Sequence, residues 1–298
     1  MSTRSNFLLP LFQTLRPLQW VKNTFVLAPV VFAQQLGDPD AVVAALIAFI
    51  VFCGAASTVY LVNDLRDREE DRRHPLKCKR PIASGALSVR TAWIAAVVLG
   101  VLSLAGAATL GVGFTVWLAV YLIINLLYAS WLKRVVILDV MAVSAGYVIR
   151  VQAGAVAVGV ELSSWLLLCT IFLALFLIFS KRRHELVLLG DAAEQQRAVL
   201  SHYSPAFLDQ MINVVTASTV VAYALYAVDD ANVARFGGDR LVWTVPLVLF
   251  GIFRYLYLIY QDHQPRNPTE AVLRDLPSVL NVLLWGMVVV WITLTAPT

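Results

Sequence analysis

The chain has 298 residues, 59% of them apolar and only 14% charged, with a mean hydropathy of +0.75. A soluble domain carries about 25% charged residues, so a water-soluble globule is excluded. The formal charge of +4 comes with no interleaved basic and aromatic motif, which argues against a nucleic-acid binding domain.

In chain order, the opening "MSTRSNFLLPLFQTLRPLQWVKN" lacks the basic, apolar and small-residue pattern of a cleaved signal and reads as retained chain. Nine apolar segments follow, at about 21–36, 41–62, 91–109, 112–132, 135–158, 163–180, 211–228, 241–260 and 279–296. The first is short and flanked by Trp20 and Lys22, as suits an interfacial anchor. Residues 91–132 hold no Asp, Glu, Lys or Arg. As helix that stretch is roughly 63 Å long, enough to cross a ~30 Å hydrocarbon core twice, with Gly111 and Gly113 at the expected turn. These continuous apolar runs lack the alternation of a membrane β-barrel. The fold class expected is all-α, a polytopic bundle of about nine transmembrane helices with cap loops, forming one integral-membrane domain over 1–298.

Basic residues fall on one side when alternate loops are assigned to alternate faces. Twenty of the 23 Lys and Arg then share the face of the N-terminus, against Arg235 and Arg240 opposite, with Arg150 inside a span. That bias places the N-terminus in the cytoplasm and the C-terminus outside an inner, cytoplasmic membrane. The three longest loops lie on the same face, where chemistry on polar molecules is expected. Cys53, Cys78 and Cys169 are isolated, and His74, His184, His202 and His263 lack ligand spacing, so neither a disulfide framework nor a zinc site is suggested.

The second apolar segment runs into "NDLRDREEDRRHP". On a helix continuing from that span, Asp64, Asp67 and Asp71 share a face at i, i+3 and i+7, with Asn63 beside them. Oxygen-only ligands favour a hard cation, Mg²⁺ above all, which typically completes its shell with waters and substrate phosphates. The spacing alone also allows a solvated acidic and basic loop. Lys77, Lys79 and Arg80 follow at once, "SKRRHE" places Lys181, Arg182 and Arg183 after the sixth span, and Lys22 and Asn23 open the first. Such cations stabilise the charge that grows on a departing diphosphate, although the positive-inside bias accounts for basic residues there as well. In the fifth span Asp139 and Arg150 face the same way about 16 Å apart, too far to pair with each other. Arg150 therefore reads as the seat of an anion within the bundle, or as a donor to backbone carbonyls.

Together these motifs resemble a known family. "NDLRDREED" is similar to the NDxxDxxxD signature of the UbiA superfamily of intramembrane prenyltransferases, and "LRPLQWVKN" to its N-terminal motif. "RPLQWVKN", "VYLVNDLRDREEDRRHPLKCKRPIASG", "SAGYVIRVQAGAVA", "SKRRHEL", "FRYLY" and "PTEAVLRD" resemble in particular the branch that moves phosphoribosyl groups onto decaprenyl phosphate. Where aromatic prenyltransferases of the superfamily carry a second aspartate-rich motif, this chain has "SKRRHELVLLGD", basic and followed by Glu185. The resemblance implies Mg²⁺-dependent transfer of 5-phosphoribosyl from phosphoribosyl diphosphate to a polyprenyl phosphate in a lateral apolar groove, releasing diphosphate, for lipid-linked pentose of the arabinan type. It implies Asp64 and Asp67 as catalytic residues, and Asn63, Asp64, Asp67 and Asp71 as metal ligands. Phosphate contacts would come from Lys22, Asn23, Lys77, Arg80, Arg150, Lys181, Arg182, Glu185 and Arg254. Two rival readings are an aromatic prenyltransferase using a prenyl diphosphate and a lipid-phosphate transporter or binding protein. The expected partners are the two substrates and the bilayer, with no nucleic acid; no oligomeric state is implied.

Overall fold

The computed structural model describes residues 7–73, 77–189, 198–261 and 268–296. Arg4, His74, Asp191, Arg197, His263 and Arg266 lie outside the described residues.

The described chain is helical: α1 (Leu8–Leu15), α2 (Ala28–Phe32), α3 (Pro39–Arg66), α4 (Arg68–Arg73), α5 (Pro81–Ser84), α6 (Val89–Thr109), α7 (Val112–Ser130), α8 (Leu138–Ala157), α9 (Ser164–Leu189), α10 (Pro205–Val228), α11 (Asp230–Arg235), α12 (Val245–Gln261), α13 (Pro268–Arg274) and α14 (Leu276–Leu294). Eight helices among the described residues are long and apolar enough to cross a membrane, so the protein is a multi-pass membrane protein. The ninth expected span is not one of them. Residues Pro17–Leu27 form a 3-10 helix, followed only by the five-residue α2. Pro17 and Pro29 lack an N–H, and Pro29 cannot continue an α-helix through its own preceding turn. Arg16 and Gln34 bracket the region at φ 55° and 61°.

Helix starts follow local chemistry. Asp38 accepts from the Asp40 amide ahead of α3, Ser88 from Thr91 ahead of α6, and Ser204 from Phe207 ahead of α10. Pro39 and Pro205 sit where a missing N–H costs nothing. Gly111, at φ 97°, turns the chain between α6 and α7 as expected, whereas Gly113 falls inside α7.

The chain divides into two compact units. The first comprises Met1–Val30, Asp38–Ala129 and Ile149–Glu161. Its core centres on the fully buried Phe52, edge-on to Phe114 at 5.8 Å and to Tyr121 at 5.3 Å. Helices α3 and α6 approach closely because small residues line their seam: a Cβ on Gly54 would lie 2.5 Å from Ser103 Oγ. A second cluster of Leu61, Ile82, Leu87, Ala92 and Ala96 ties α5 and the N-terminal part of α6 to the polar end of α3. The second unit comprises Val31–Gly37, Ser130–Val148 and Leu162–Thr298. Within it Phe176 packs on Tyr255 at 5.2 Å, and Tyr223 shares a 2.7 Å hydrogen bond with Thr244 while accepting from Trp285 Nε1.

Candidate active site

Helix α3 ends sooner than the sequence suggests. Asp67 is its C-cap, at φ −85° and ψ 5°, and α4 restarts at Arg68. The expected single helical face through Asp64, Asp67 and Asp71 is therefore a helix, a corner and a second helix. The corner is stitched by the Asp67 amide donating to Asn63 O and the Asp71 amide donating to Asp67 O. Asp64 and Asp71 are nonetheless brought together. Arg80 Nη1 donates to Asp64 Oδ1 at 3.1 Å and to Asp71 Oδ2 at 2.7 Å, and Arg16 Nη2 reaches the same Asp64 oxygen at 2.6 Å. Both carboxylates are almost fully buried, at 4% and 3% exposure.

Two buried carboxylates converging on one cationic nitrogen can share a cation, and the donor set of Asn63, Asp64, Asp67 and Asp71 is all oxygen. That chemistry fits a hard divalent ion such as Mg²⁺. Among the described residues no three His, Cys, Asp or Glu side chains gather into a complete metal cage. Waters and substrate phosphate oxygens would therefore have to supply much of the ion's shell, as Mg²⁺ normally requires.

The outward-facing charges of the segment are a separate group. Arg68 and Arg72 both bond Glu69, and the hydrogen bond from Arg68 holds that carboxyl below its ordinary range. Glu69 and Arg72 are exposed and Arg68 half-exposed, and the group works as solvated surface. Arg16, by contrast, had no specific role in the sequence reading beyond its basic charge, and it is a direct partner of Asp64. The only signal for it was its place in "LRPLQWVKN".

Deeper in the first unit, Arg150 is 6% exposed. Its Nε donates to Asn23 Oδ1 at 2.7 Å, its Nη2 to the Tyr121 hydroxyl at 3.0 Å, and its guanidinium lies over the Tyr121 ring at 4.7 Å. Asn23 is fully buried, and its Nδ2 reaches Cys53 Sγ at 3.3 Å. Both ends of this amide have a partner, and its oxygen helps to hold Arg150. The close approach depends on Gly154, one turn beyond Arg150, where a Cβ would overlap the Val26 carbonyl. Lys22 and Lys77 are half-buried, each on a 3-10 helix of the same unit.

In the second unit the basic cluster after the sixth apolar segment lies within α9, which runs nine residues past Ser180. Arg182 is 2% exposed and donates from Nε to Asp139 Oδ2 at 2.8 Å and from Nη1 to Glu185 Oε2 at 2.7 Å. Lys181 Nζ lies 3.6 Å from Glu185 Oε1. The Tyr203 hydroxyl donates to Asp139 Oδ1 at 2.7 Å. Lys181 and Arg182 thus each face a carboxylate: Lys181 faces Glu185, and Arg182 faces both Asp139 and Glu185. Asp139 has one of its partners, Arg182, 43 residues away on another helix. Arg254 engages Asp275 through Nε at 3.0 Å and Nη2 at 2.7 Å, and Asp275 caps α14 by accepting from the Ser278 amide.

Comparison with known proteins places this geometry in a family. The model of the UbiA prenyltransferase family matches residues 24–276. A decaprenyl-phosphate phosphoribosyltransferase of Corynebacterium glutamicum is 36% identical, across 94% of this chain and 85% of the relative. One of Mycobacterium tuberculosis is 37% identical, across 94% and 93%. Among solved structures, a UbiA homolog from Archaeoglobus fulgidus bound to DMAPP and Mg²⁺ superposes with a TM-score of 0.70 at 20% identity, covering 95% of this chain and 96% of that one. The same homolog bound to GPP and Mg²⁺ gives 0.68, again at 20% identity, covering 96% and 97%. With a family match over most of its length and relatives above 30% identity, this chain belongs to the UbiA prenyltransferase family.

Proposed function

We propose that this protein transfers a 5-phosphoribosyl group from phosphoribosyl diphosphate to a polyprenyl phosphate of the decaprenyl type, releasing diphosphate. The observation that carries the proposal is the 36–37% identity, spanning 94% of the chain, to curated decaprenyl-phosphate phosphoribosyltransferases. The basic and acidic makeup of the α9 terminus, where an aromatic prenyltransferase would carry aspartates, supports the same reading.

In the first unit, Asn63, Asp64, Asp67 and Asp71 would hold Mg²⁺, with Asp64 and Asp67 the residues on which turnover depends most. A bound Mg²⁺ would polarise the diphosphate and offset its charge. The chain's own cations do the remaining electrostatic work. Arg16 pairs with Asp64 and Arg80 with both Asp64 and Asp71, holding two buried carboxylates in place, and Lys22, Lys77 and Arg150 are the further phosphate contacts of this unit. In the second unit Lys181 and Arg254 are the corresponding candidates. Because the lipid phosphate is already an anion, it needs no strong general base to attack C1 of the ribose. The family match includes residues of both units, and we take 1–298 as one transferase domain. Its N-terminus and polar loops would lie on the cytoplasmic side of the inner membrane, and the product would feed lipid-linked pentose synthesis for the cell envelope.

The test uses purified protein, labelled phosphoribosyl diphosphate and decaprenyl phosphate, with lipid extraction. Labelled lipid that depends on Mg²⁺ and disappears in Asp64→Ala and Asp67→Ala, both keeping the wild-type melting temperature, is the expected outcome. Turnover persisting in both variants would reduce the segment to a solvated loop.

A further inference from the structure

Helix α1 is too short to cross a membrane, yet its outward face is apolar. Eight residues of helix reach about 12 Å, well short of a ~30 Å hydrocarbon core. At 3.6 residues per turn the helix has two distinct faces. Leu11, Thr14 and Leu15 form the inner one. Thr14 is buried, with its hydroxyl donating to Pro10 O at 2.8 Å, and Leu11 and Leu15 pack on the cluster of Leu61, Ile82, Leu87, Ala92 and Ala96. Leu8, Leu9 and Phe12 lie on the opposite face and are 61%, 62% and 54% exposed, with Gln13 at their edge. A helix on the surface of a water-soluble protein turns polar side chains outward. This one turns out three large apolar ones.

The depth of α1 is fixed by α3, within the first unit. Leu15 O accepts from Ser57 Oγ at 3.1 Å and Arg16 Nη2 donates to Asp64 Oδ1 at 2.6 Å, so the end of α1 lies beside residues 57–64. The uncharged part of α3, residues 41–62, is roughly 32 Å of helix, a match for the hydrocarbon core. Residues 57–64 therefore straddle the boundary between acyl chains and headgroups. Aromatic residues that favour this boundary stand at the same level. The Tyr60 ring lies 5.0 Å from the Arg16 guanidinium, and the exposed Trp93 of α6 adjoins Ala92 of the shared cluster. From Trp93 the exposed apolar surface runs along the spanning helix α6 through Val97 and Val101. The outer face of α1 is thus next to a surface that already faces lipid.

We infer that α1 is an interfacial helix whose partner is the bilayer itself, with Leu8, Leu9 and Phe12 seated among lipids at the headgroup and acyl boundary. The seat is apolar: no Asp, Glu, Lys or Arg lies between Leu8 and Leu15, so it needs no anionic lipid. The lipid contact also reaches the acidic segment in one step. Arg16, the C-cap of α1 at φ 55°, carries the guanidinium that holds buried Asp64. The lipid seat and the Arg16–Asp64 pair stabilise each other, and such a coupling is reciprocal.

The experiment places a nitroxide at Leu9→Cys in the full-length protein, with Cys78→Ala and Cys169→Ala and the buried Cys53 kept. The protein is reconstituted in phosphatidylcholine vesicles with and without phosphatidylglycerol. Access to oxygen, which concentrates in lipid, and to a water-soluble nickel chelate gives the depth of the label. Val101→Cys calibrates the membrane interior and Glu70→Cys calibrates water. The Leu9 label is expected about 5–10 Å into the headgroup and acyl boundary, with or without phosphatidylglycerol. Phe12→Cys should report the same depth and repeats the test if a label at Leu9 disturbs α1. Nickel access at both positions as high as at Glu70 would put this face in water and overturn the inference. Low access to both reagents would mean that protein covers it, which overturns the inference equally. A depth reached only with phosphatidylglycerol would make the seat electrostatic and overturn its apolar basis. In an Arg16→Ala background the Leu9 label should gain mobility while the Val101 label does not. An unchanged Leu9 spectrum there would remove the coupling to Asp64.

Discussion

Gly154→Ala tests whether the buried Arg150 is held by backbone geometry. The added methyl group would overlap the Val26 carbonyl, and backbone cannot rotate away as a side chain can. The 3-10 helix Pro17–Leu27 must shift, carrying Asn23, which lies three residues before Val26 and binds Arg150 at 2.7 Å. Overpacking of this kind costs about 1–3 kcal/mol, and weakening a hydrogen bond to a buried charge adds about 1.5 kcal/mol. A total of about 2.5–4.5 kcal/mol lowers the melting temperature in detergent by roughly 4–9 °C for a chain of this size. Gly286→Ala is the control: it lies within α14, where a Cβ meets nothing within 4 Å, and should be neutral or slightly stabilising. The coupling has its own signature. In an Asn23→Ala background, Gly154→Ala should cost about 1.5 kcal/mol less than in wild type, because the bond it disturbs is already gone. A Gly154→Ala protein that melts with the Gly286→Ala control, or strict additivity with Asn23→Ala, would refute this reasoning.

Two further perturbations follow from the ion pairs. Arg80→Ala leaves two buried carboxylates short of their shared cation. It should cost toward the lower end of the ~3–5 kcal/mol for breaking a buried pair, because the arginine side chain itself is 30% exposed. Asp71→Asn, which leaves Arg80 on Asp64, should cost less in the same thermal melt, and millimolar Mg²⁺ should raise the melting temperature of Arg80→Ala more than that of wild type. The reverse order would mean that Arg80 is not what holds the two carboxylates. For Asp275, the hydrogen bond from Arg254 holds the carboxyl well below its ordinary value of 3.8. A depressed carboxyl contributes stability that is present above the unfolded value and is lost only as pH falls toward the folded one. The difference in melting temperature between wild type and Asp275→Asn should therefore be flat from pH 7 to about 5 and shrink below about pH 4. A difference that shrinks between pH 7 and 5 would contradict the pairing.

The sequence revealed long helices far better than it revealed side-chain partners. Eight of the nine expected spans are helices because uncharged runs such as 91–132 leave a membrane chain no other way to satisfy its backbone. The first expected segment is instead a 3-10 helix followed by a short α-helix that starts beside Pro29, a residue that hydropathy counts as nearly neutral but that cannot continue a preceding helical turn. The kink at Asp67 was equally hidden, since a regular i, i+3, i+7 spacing looks the same whether or not the helix breaks within it. The Asp64 and Asp71 juxtaposition was legible as a pattern, yet its cations were not: Arg16 lies 48 residues from Asp64 in sequence. Asp139 and Arg182 can be matched in the sequence by asking which ionisable residues near the membrane need a partner, but nothing in the sequence points to Tyr203.

The central claim is the chemistry of transfer, and the mass of the lipid product tests it most directly. Purified protein given Mg²⁺, phosphoribosyl diphosphate and decaprenyl phosphate should yield a lipid heavier than decaprenyl phosphate by one 5-phosphoribosyl group, with one diphosphate released per lipid formed. A protein that leaves decaprenyl phosphate unchanged but joins a prenyl diphosphate to an aromatic acid would contradict the account.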